Sequence, residues 1–200
     1  SCIIINEMKK EKKGEIRITG GKWKGKKIFF DLSDDLRPTP DRAKETLFNW
    51  LGQNLSEMHC LDLFSGTGAL GLEAFSRGAK RITFVEKNKD YLQKIKKVYS
   101  DMSVKENCEF FCAECLDWVK NYKSKTKYDL IFIDPPFNKN LIDDLLSSIL
   151  NKDLLSKSGK IYFEYEKKLE LKIPDSLSLK KEKNLGRKKY VLAEVICLSS

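Results

Sequence analysis

The sequence predicts an α/β fold: a Rossmann-like, mostly parallel sheet of seven strands that ends in an antiparallel hairpin and is preceded by a small N-terminal β-hairpin. Short apolar, β-prone runs alternate with helix-like segments through the middle of the chain, which is typical of a parallel sheet. Near the C-terminus two strand-like runs flank Gly186 with no room for a helix between them. With 41% hydrophobic residues, 200 residues are enough to bury a core.

The individual elements follow from this alternation. Parallel strands are predicted at 59–64, 81–86, 108–113 and 128–134, with a fifth at 160–166 after a turn at "KSGK". Helices are predicted at 69–77, 89–100, 115–122 and 140–150. Crossovers between parallel strands are right-handed, so the helices cover both faces of the sheet.

The segment before the sheet has a different composition. "GEIRITGGKWKGKKIFF" alternates strand-like residues with glycines and predicts a small basic hairpin. A helix follows, with Thr39 as its N-cap, Pro40 in its first turn and Gly52 at its end. Its apolar stripe consists of Ala43, Leu47, Trp50 and Leu51. The predicted organisation is an irregular tail (1–13), an extension of hairpin and helix (14–52) and a main domain (53–200).

Charge and composition limit the classes of partner and the compartment that the chain suits. The net charge is +9, and the basic residues cluster at 9–27 and 180–189, which favours a polyanionic partner such as nucleic acid. No apolar run approaches the length of a membrane span. Six cysteines in a chain of this size are not a disulfide scaffold, so we expect reduced thiols and a cytoplasmic protein.

One cysteine pattern resembles an iron–sulfur signature. Cys108, Cys112 and Cys115 stand at C-x3-C-x2-C, but an iron–sulfur cluster needs thiolates that converge from one loop. "CEFFCA" is typical of a strand, along which residues four apart are separated by about 13 Å. We therefore expect buried, inert thiols and no metal site.

A glycine loop follows the first parallel strand and opens a helix. Gly66, Gly68 and Gly71 form G-x-G-x-x-G in the strand–turn–helix context that nucleotide binding requires. Glu86 ends the next strand, where a carboxylate accepts hydrogen bonds from the ribose hydroxyls of an adenosine. These residues predict a cofactor that contains adenosine.

Asp62 distinguishes among such cofactors. A carboxylate just before the glycine loop repels a pyrophosphate but suits an ammonium group. This favours S-adenosylmethionine, which carries an ammonium and a sulfonium and no phosphate, over NAD. Glu114, after the third strand, is expected to accept from the adenine amine, and its neighbour Cys115 to pack near the ring.

The acceptor site is predicted at "DLIFIDPPF", where a buried strand ends in an acid, two prolines and an aromatic ring. Asp134 and the carbonyl of Pro135 are expected to accept the two protons of an exocyclic amine, which frees the nitrogen lone pair for attack on a methyl group. Pro135 and Pro136 fix the direction of that carbonyl. Phe137 offers a face for stacking a flipped base.

These motifs resemble a known family. D-P-P-F is similar to the (Asn/Asp)-Pro-Pro-(Tyr/Phe) motif of amino-methyltransferases. With "LDLFSGTGALGLEAFSRGA" and "RITGGKWKGKKI…LRPTPDRAKETLFNWL", the chain resembles the bacterial enzymes that methylate guanine N2 in small-subunit (16S) ribosomal RNA. The resemblance runs from about Gly14 to the last strand. It implies a monomeric class I methyltransferase, dependent on S-adenosylmethionine, whose N-terminal hairpin engages ribosomal RNA or the assembling 30S particle.

The predicted site residues fall into three sets. The cofactor set is Asp62, Phe64, Ser65, Gly66, Gly68, Gly71, Glu86, Lys87, Glu114 and Cys115, and the base set is Asp134, Pro135, Pro136 and Phe137. The RNA set is Lys22, Lys24, Lys26, Arg37, Thr39 and Arg42. The three lysines are expected on one face of the hairpin, with Trp23 packed against the body. Glu114 departs from the family pattern, in which a shorter Asp or Asn is expected.

Three other functions share some of these features. An adenine-N6 methyltransferase acting on DNA or RNA uses the same acceptor motif, but the DNA enzymes usually carry a target-recognition insertion for which 200 residues leave little room. A protein-glutamine methyltransferase does not need so basic a surface. A non-catalytic RNA-binding assembly factor has no need of both a glycine loop and an acceptor motif.

Overall fold

The computed structural model describes residues 13–31, 39–136 and 139–196. The N-terminal extension begins with an antiparallel hairpin of β1 (Lys13–Arg17) and β2 (Lys27–Asp31), joined through a 3-10 turn at Gly21–Trp23. Helix α1 (Asp41–Leu51) follows and ends at Gly52, whose φ of 90° suits glycine. The predicted hairpin and helix are confirmed.

The rest of the described chain alternates strands and helices as predicted. The elements are β3 (His59–Leu63), α2 (Ala69–Ser76), β4 (Arg81–Glu86), α3 (Lys89–Asp101), β5 (Cys108–Cys112), α4 (Cys115–Lys120), β6 (Tyr128–Ile133), α5 (Lys139–Asn151), β7 (Leu155–Glu166), β8 (Leu177–Leu185) and β9 (Lys188–Val195). The seven-stranded sheet has the order β5-β4-β3-β6-β7-β9-β8. All neighbours from β5 to β7 are parallel, whereas β9 runs antiparallel to both β7 and β8.

The strand order fixes where a ligand can bind. From β3 the chain proceeds outward to β4 and β5, and it then returns to the other side of β3 with β6 and β7. The order therefore reverses between β3 and β6, and ligands of open α/β sheets bind outside the carboxyl ends of the strands at such a point.

The core explains why the central strands are apolar throughout. Leu130 to Ile133 of β6 are fully buried, because helices cover both faces of the sheet. One face packs against α1, α2 and α3 through Phe48, Leu72 and Tyr99, among others. The other packs against α4 and α5, and includes Val119 and Leu145.

Three local predictions were wrong. Strand β7 begins at Leu155, so "KSGK" lies within the strand; Leu155 pairs with Tyr128, and a register shift before Leu130 accommodates the extra residues. Pro40, not Thr39, holds the N-cap position of α1, and its side chain makes no capping hydrogen bond. The loop lysines do not share a strand face, because Lys22 lies in the 3-10 turn, where its ammonium is 4.3 Å from the centre of the Trp23 ring.

The hairpin turn is fixed to the far end of α2. The Ser76 hydroxyl donates to the carbonyl of Gly20 at 2.6 Å and accepts from the amide of Trp23 at 2.9 Å. Trp23 itself packs against the core, as predicted. Since α2 begins at the glycine loop and rises 1.5 Å per residue, the turn lies about 10–12 Å along the helix from that loop.

None of the helices in the described part of the chain is long and apolar enough to cross a bilayer.

Candidate functional site

The carboxyl ends of β3 and β6 bring two predicted sites together. Leu63 and Ile133 are paired in register, so the segments that follow them start side by side. Asp62 and Asp134 line the same cleft. The other residues that line it are Thr39, Phe64, Ser65, Gly66, Thr67, Ala69 and Leu70. A cofactor residue and the acceptor carboxylate thus face one space.

The three glycines of the loop have different roles. Gly66 and Gly68 have φ values of 51° and 73°, in the left-handed region that favours glycine. A Cβ on Gly71 would lie 2.6 Å from the Phe84 ring, so this glycine permits α2 to pack closely on β4. Its amide donates to Asp62 at 3.3 Å. Gly71 therefore supports the site through packing and through Asp62, and it does not line the cleft.

Asp62 is a buried acid at the floor of the cleft, with 2% of its surface exposed. Burial raises the pKa of Asp62 well above its ordinary value, the bond from Gly71 opposes the rise, and nearby Asp134 and Glu86 add to it. Two carboxylates therefore line one cleft, and a third, that of Glu86, is close enough to act on Asp62. Such a site disfavours a phosphate and favours a cationic ligand, whose charge would stabilise the ionised form of Asp62.

Glu86 joins the ends of β4 and β3. It is nearly buried, accepts from the amide of Gly66 at 3.0 Å with one oxygen, and accepts from the amide of Asn88 at 2.8 Å with the other. Each carboxylate oxygen has further lone-pair capacity, so Glu86 remains able to accept from ligand hydroxyls. Its present bonds fix the first turn of the glycine loop.

Phe64 has a φ of 60°, which is uncommon for a bulky residue. Its amide donates to the carbonyl of Val85 at 3.1 Å and to the sulfur of Cys115 at 3.2 Å, and these bonds hold the strained turn. Burial raises the pKa of Cys115 to about 12, so the residue is an inert thiol. Ser65 donates to the carbonyl of Asp62 at 2.7 Å and closes the loop.

Two predicted cofactor residues lie at the surface. Lys87 and Glu114 are both exposed and form an ion pair at 3.3 Å. Glu114 takes the N-cap position of α4 without a side-chain bond to the helix. Both follow the carboxyl ends of their strands, β4 and β5, so they stand at the same sheet edge as Glu86.

The acceptor segment has partners that the sequence did not reveal. Asp134 accepts from Lys188 at 2.9 Å, and Lys188 also donates to buried Glu164 at 3.0 Å. Pro135 and Pro136 line a second, smaller cleft with Glu164, Tyr165 and Lys188. Phe137 lies outside the described residues. Lys188 stands in a run of basic residues, and nothing in the sequence separates it from a solvated lysine.

The predicted RNA residues are dispersed. Thr39 lines the cofactor cleft, whereas Arg42 is exposed in the first turn of α1. Arg37 lies outside the described residues. Lys22, Lys24 and Lys26 are exposed in and beside the hairpin turn.

Of the cysteines in the C-x3-C-x2-C pattern, Cys108 is half-buried and Cys115 is buried, but Cys112 is exposed, so the expectation of a buried thiol was wrong there. Cys108 and Cys112 lie on β5, as predicted. Within residues 13–31, 39–136 and 139–196, the acids, cysteines and histidine form no cluster that could hold a metal ion.

Comparisons with known proteins cover nearly the whole chain. The family model described as Conserved hypothetical protein 95 matches residues 16–194. Ribosomal RNA small subunit methyltransferase D of Haemophilus influenzae is 40% identical over 181 residues, 90% of this chain and 94% of that one. The protein of the same name from Escherichia coli K12 is 36% identical over 186 residues, 90% and 89% of the two chains. The solved structure of yhhF from Escherichia coli, provisionally described as a methyltransferase, has a TM-score of 0.80 and 32% identity and covers 91% of this chain and 98% of that one.

Proposed function

Since the chain belongs to the Conserved hypothetical protein 95 family and matches ribosomal RNA small subunit methyltransferases D along most of its length, we propose that it methylates a guanine N2 amine in small-subunit ribosomal RNA, using S-adenosylmethionine. The observation that carries the proposal is the shared cleft of Asp62 and Asp134 at the point where the strand order reverses. It brings an amine-accepting carboxylate beside a site that suits a cationic nucleoside.

The residues of the cleft fit this cofactor. S-adenosylmethionine supplies an electrophilic methyl group on a sulfonium when it is bound. Asp62 would hold the ammonium group, Glu86 at the end of β4 would hold the ribose hydroxyls, and Gly66 would let the ligand approach the backbone. Gly68 does not line the cleft, and a Cβ there would lie 3.1 Å from Ile95. The carboxylates Asp62, Glu86 and Asp134 oppose a pyrophosphate, which supports S-adenosylmethionine over a dinucleotide.

Asp134 acts on the acceptor. Its carboxylate accepts one N–H of the guanine amine, and the Pro135 carbonyl accepts the other. These bonds draw electron density back onto the nitrogen, whose lone pair is otherwise delocalised into the base. As the nitrogen takes the methyl group, the bond between that methyl group and the sulfonium would break, and one amine proton would pass to Asp134 or to water. Pro135 and Pro136 reduce the conformational freedom of this segment, so most of the catalysis comes from positioning.

A basic groove is the proposed contact for the rest of the RNA. It has a volume of about 400 Å³ and lies between β2 and α3, where Lys26, Lys27, Lys94 and Lys97 surround the rim and Asp101 opposes them. Phe29 in this groove is 63% exposed, which is unusual for a phenylalanine and suits stacking with an unpaired base. With a net charge of +9, the chain suits a polyanionic substrate. We further propose that it acts as a cytoplasmic monomer.

The test is direct methylation. The purified protein is incubated with radiolabelled S-adenosylmethionine and, in separate reactions, small-subunit ribosomal RNA and 30S particles from cells that lack the activity. N2-methylguanosine is the expected product by mass spectrometry of the nucleosides, at one mapped position. RNA carrying inosine there lacks the N2 amine and should accept no methyl group. N6-methyladenosine, or label only in protein, would contradict the proposal.

A further inference from the structure

A partly buried network of polar side chains lies behind the acceptor motif, at the ends of three strands. The hydroxyl of Tyr162 donates to Glu164 at 2.8 Å, Glu164 accepts from Lys188 at 3.0 Å, and Lys188 donates to Asp134 at 2.9 Å. Tyr162 and Glu164 lie on β7, Lys188 is the first residue of β9, and Asp134 follows β6. The network thus connects the protein interior to the carboxylate that faces the cleft.

The antiparallel direction of β9 explains how Lys188 reaches this place. Because β9 runs opposite to β7, its first residue lies at the carboxyl end of the parallel strands, where Lys188 pairs with Glu166. A sixth parallel strand would begin at the opposite edge of the sheet. The C-terminal hairpin therefore delivers an ammonium group to the edge that holds the cofactor cleft.

The burial of Glu164 makes Lys188 a fixed donor. Glu164 is 2% exposed, whereas the side chains of Lys188 and Asp134 are 30% and 28% exposed. A buried carboxylate needs a partner, so Glu164 holds the ammonium in place. Burial lowers the pKa of Lys188, but Asp134 and Glu164 outweigh it and raise the pKa above its ordinary value. Lys188 therefore stays charged at neutral pH.

We infer that Lys188 is a positioning residue for Asp134, an inference that rests on the proposed methyl transfer. Lys188 binds Oδ1 of Asp134, and among the described residues no hydrogen bond is made to Oδ2. Fixing one oxygen orients the other toward the cleft, where the acceptor amine has to lie. Lys188 does not touch the reacting atoms; it acts by holding the carboxylate in the geometry that the amine requires.

A purely structural role would have different consequences. If Lys188 only neutralises Glu164, removing its charge lowers the stability of the protein and leaves the turnover of the folded fraction unchanged. A positioning role lowers kcat while the affinity for S-adenosylmethionine, which depends on the other side of the cleft, remains. The structural role and the positioning role are therefore distinguished by kcat per cofactor-binding site.

The experiment compares Lys188→Met with Lys188→Arg and a matched control. Lys189→Met makes the same change at the next position of β9, where the lysine pairs with Glu182 on a different side of the strand. We expect Lys188→Met to lower kcat by about 10- to 100-fold. Affinity for S-adenosylmethionine by calorimetry, and KM for RNA, should stay within about three-fold of wild type. Lys188→Arg should recover most of the loss, and Lys189→Met should match wild type. Should Lys188→Met not fold, Lys188→Gln, which is uncharged and has a shorter side chain that reaches less far toward Asp134, should show the same fall in kcat.

A double-mutant cycle tests whether Lys188 acts through Asp134. In an Asp134→Asn background, which should keep residual activity, Lys188→Met should cause a much smaller further loss than it does in wild type. Equal losses in the two backgrounds, or a kcat per cofactor-binding site within two-fold of wild type, would overturn the inference. If wild type itself does not methylate guanine, it is the proposed function that fails; if wild type is active and Lys188→Met equally so, only the role of Lys188 fails.

Discussion

Thr19 of the hairpin extension donates hydrogen bonds to Glu73 of α2 from both its backbone and its side chain. The carboxylate accepts from the backbone amide of Thr19 at 2.9 Å and from its hydroxyl at 2.7 Å. The same buried carboxylate pairs with Arg77 at 2.9 Å, and Lys44 lies 3.9 Å away. Together with the Ser76 bonds to the hairpin turn, this buried anion fastens the N-terminal extension to α2.

Removing that anion should destabilise the whole protein. Glu73→Ala leaves Arg77 and Lys44 as buried cations without this partner, and such changes cost about 3–5 kcal/mol. Urea unfolding followed by tryptophan fluorescence measures the loss. Glu57→Ala removes a surface pair with Lys80 and should cost less than about 1 kcal/mol. Equal stabilities for the two variants would show that the buried network contributes nothing.

Glu86→Ala should weaken binding of S-adenosylmethionine by about 2–4 kcal/mol, because two charge-assisted hydrogen bonds are lost and the Gly66 amide loses its partner. Calorimetric titration gives the affinity directly. Glu114→Ala is the comparison, since exposed Glu114 pairs with Lys87 and should matter less than Glu86. Unchanged affinity in Glu86→Ala would mean that the ribose binds elsewhere, and RNA affinity should be unaffected in either variant.

Asp134→Ala should abolish methyl transfer, since no group remains at its position to accept the amine proton. Affinity for S-adenosylmethionine should stay within a few-fold, because the cofactor contacts lie on the β3 and β4 side of the cleft. Asp134→Asn keeps a carbonyl oxygen and should retain measurable turnover. Initial rates at saturating RNA provide the test, and a near wild-type rate for Asp134→Ala would refute the acceptor assignment.

The sequence predicted features that depend on neighbours along the chain. Alternating apolar runs and helical segments gave the strands of the sheet, and the glycine spacing after β3 gave the cofactor loop, because both are local patterns. Asp62, Glu86 and Asp134 were identified from their position at strand ends, which in a parallel sheet fall on one edge.

Features that depend on pairing between distant strands were missed. Lys188 and Glu164 meet only through the antiparallel register of β7 and β9, and their sequence surroundings resemble any solvated basic or strand segment. The expectation that the three lysines share one strand face was wrong because a 3-10 turn of three residues leaves no periodic pattern in the sequence. Gly71 was assigned to the ligand, although its contact with Phe84 appears only once α2 packs on β4.

Glu164 should make the stability of the protein depend on pH. Burial, together with Asp134, raises the pKa of Glu164 to about 7 in the fold from an ordinary value of 4.5, although Lys188 and Tyr162 oppose the rise. The folded state therefore holds a proton that the unfolded state releases between these values. Stability from this residue is fully present below pH 4.5 and falls by about 3 kcal/mol as the pH rises through 7.

Glu164→Gln should remove that pH dependence, because the amide does not ionise. The free energy of unfolding by urea is measured at pH 5 and pH 8 for wild type and variant. Wild type should lose more stability than Glu164→Gln on going to pH 8. The control variant Glu57→Gln, at an exposed position, should show the same change in the free energy of unfolding between pH 5 and pH 8 as wild type. Identical slopes in wild type and Glu164→Gln would show that Glu164 is ionised throughout this range.

The lysines of the hairpin turn should contribute to RNA affinity through phosphate contacts. Lys22, Lys24 and Lys26 are exposed, and the turn is held about 10–12 Å along α2 from the glycine loop, so they would contact RNA beyond the target nucleotide. Phosphate contacts position a substrate without reading its sequence. Replacing all three lysines by alanine should therefore weaken binding and raise KM, while the methylated position and the affinity for S-adenosylmethionine stay the same.

The salt dependence of RNA binding measures this contribution. Each phosphate contact that is lost lowers the slope of log affinity against log salt by about 0.7–0.9, so the triple variant should lose about 2–3 units of slope. The matched control is the triple alanine variant at Lys120, Lys123 and Lys125, which removes the same charge from exposed lysines after β5 and should leave the slope unchanged. Parallel slopes for the hairpin variant and wild type would show that the turn does not contact the RNA backbone. Equal reductions in both triple variants would show that net charge alone, and not the hairpin, sets the affinity.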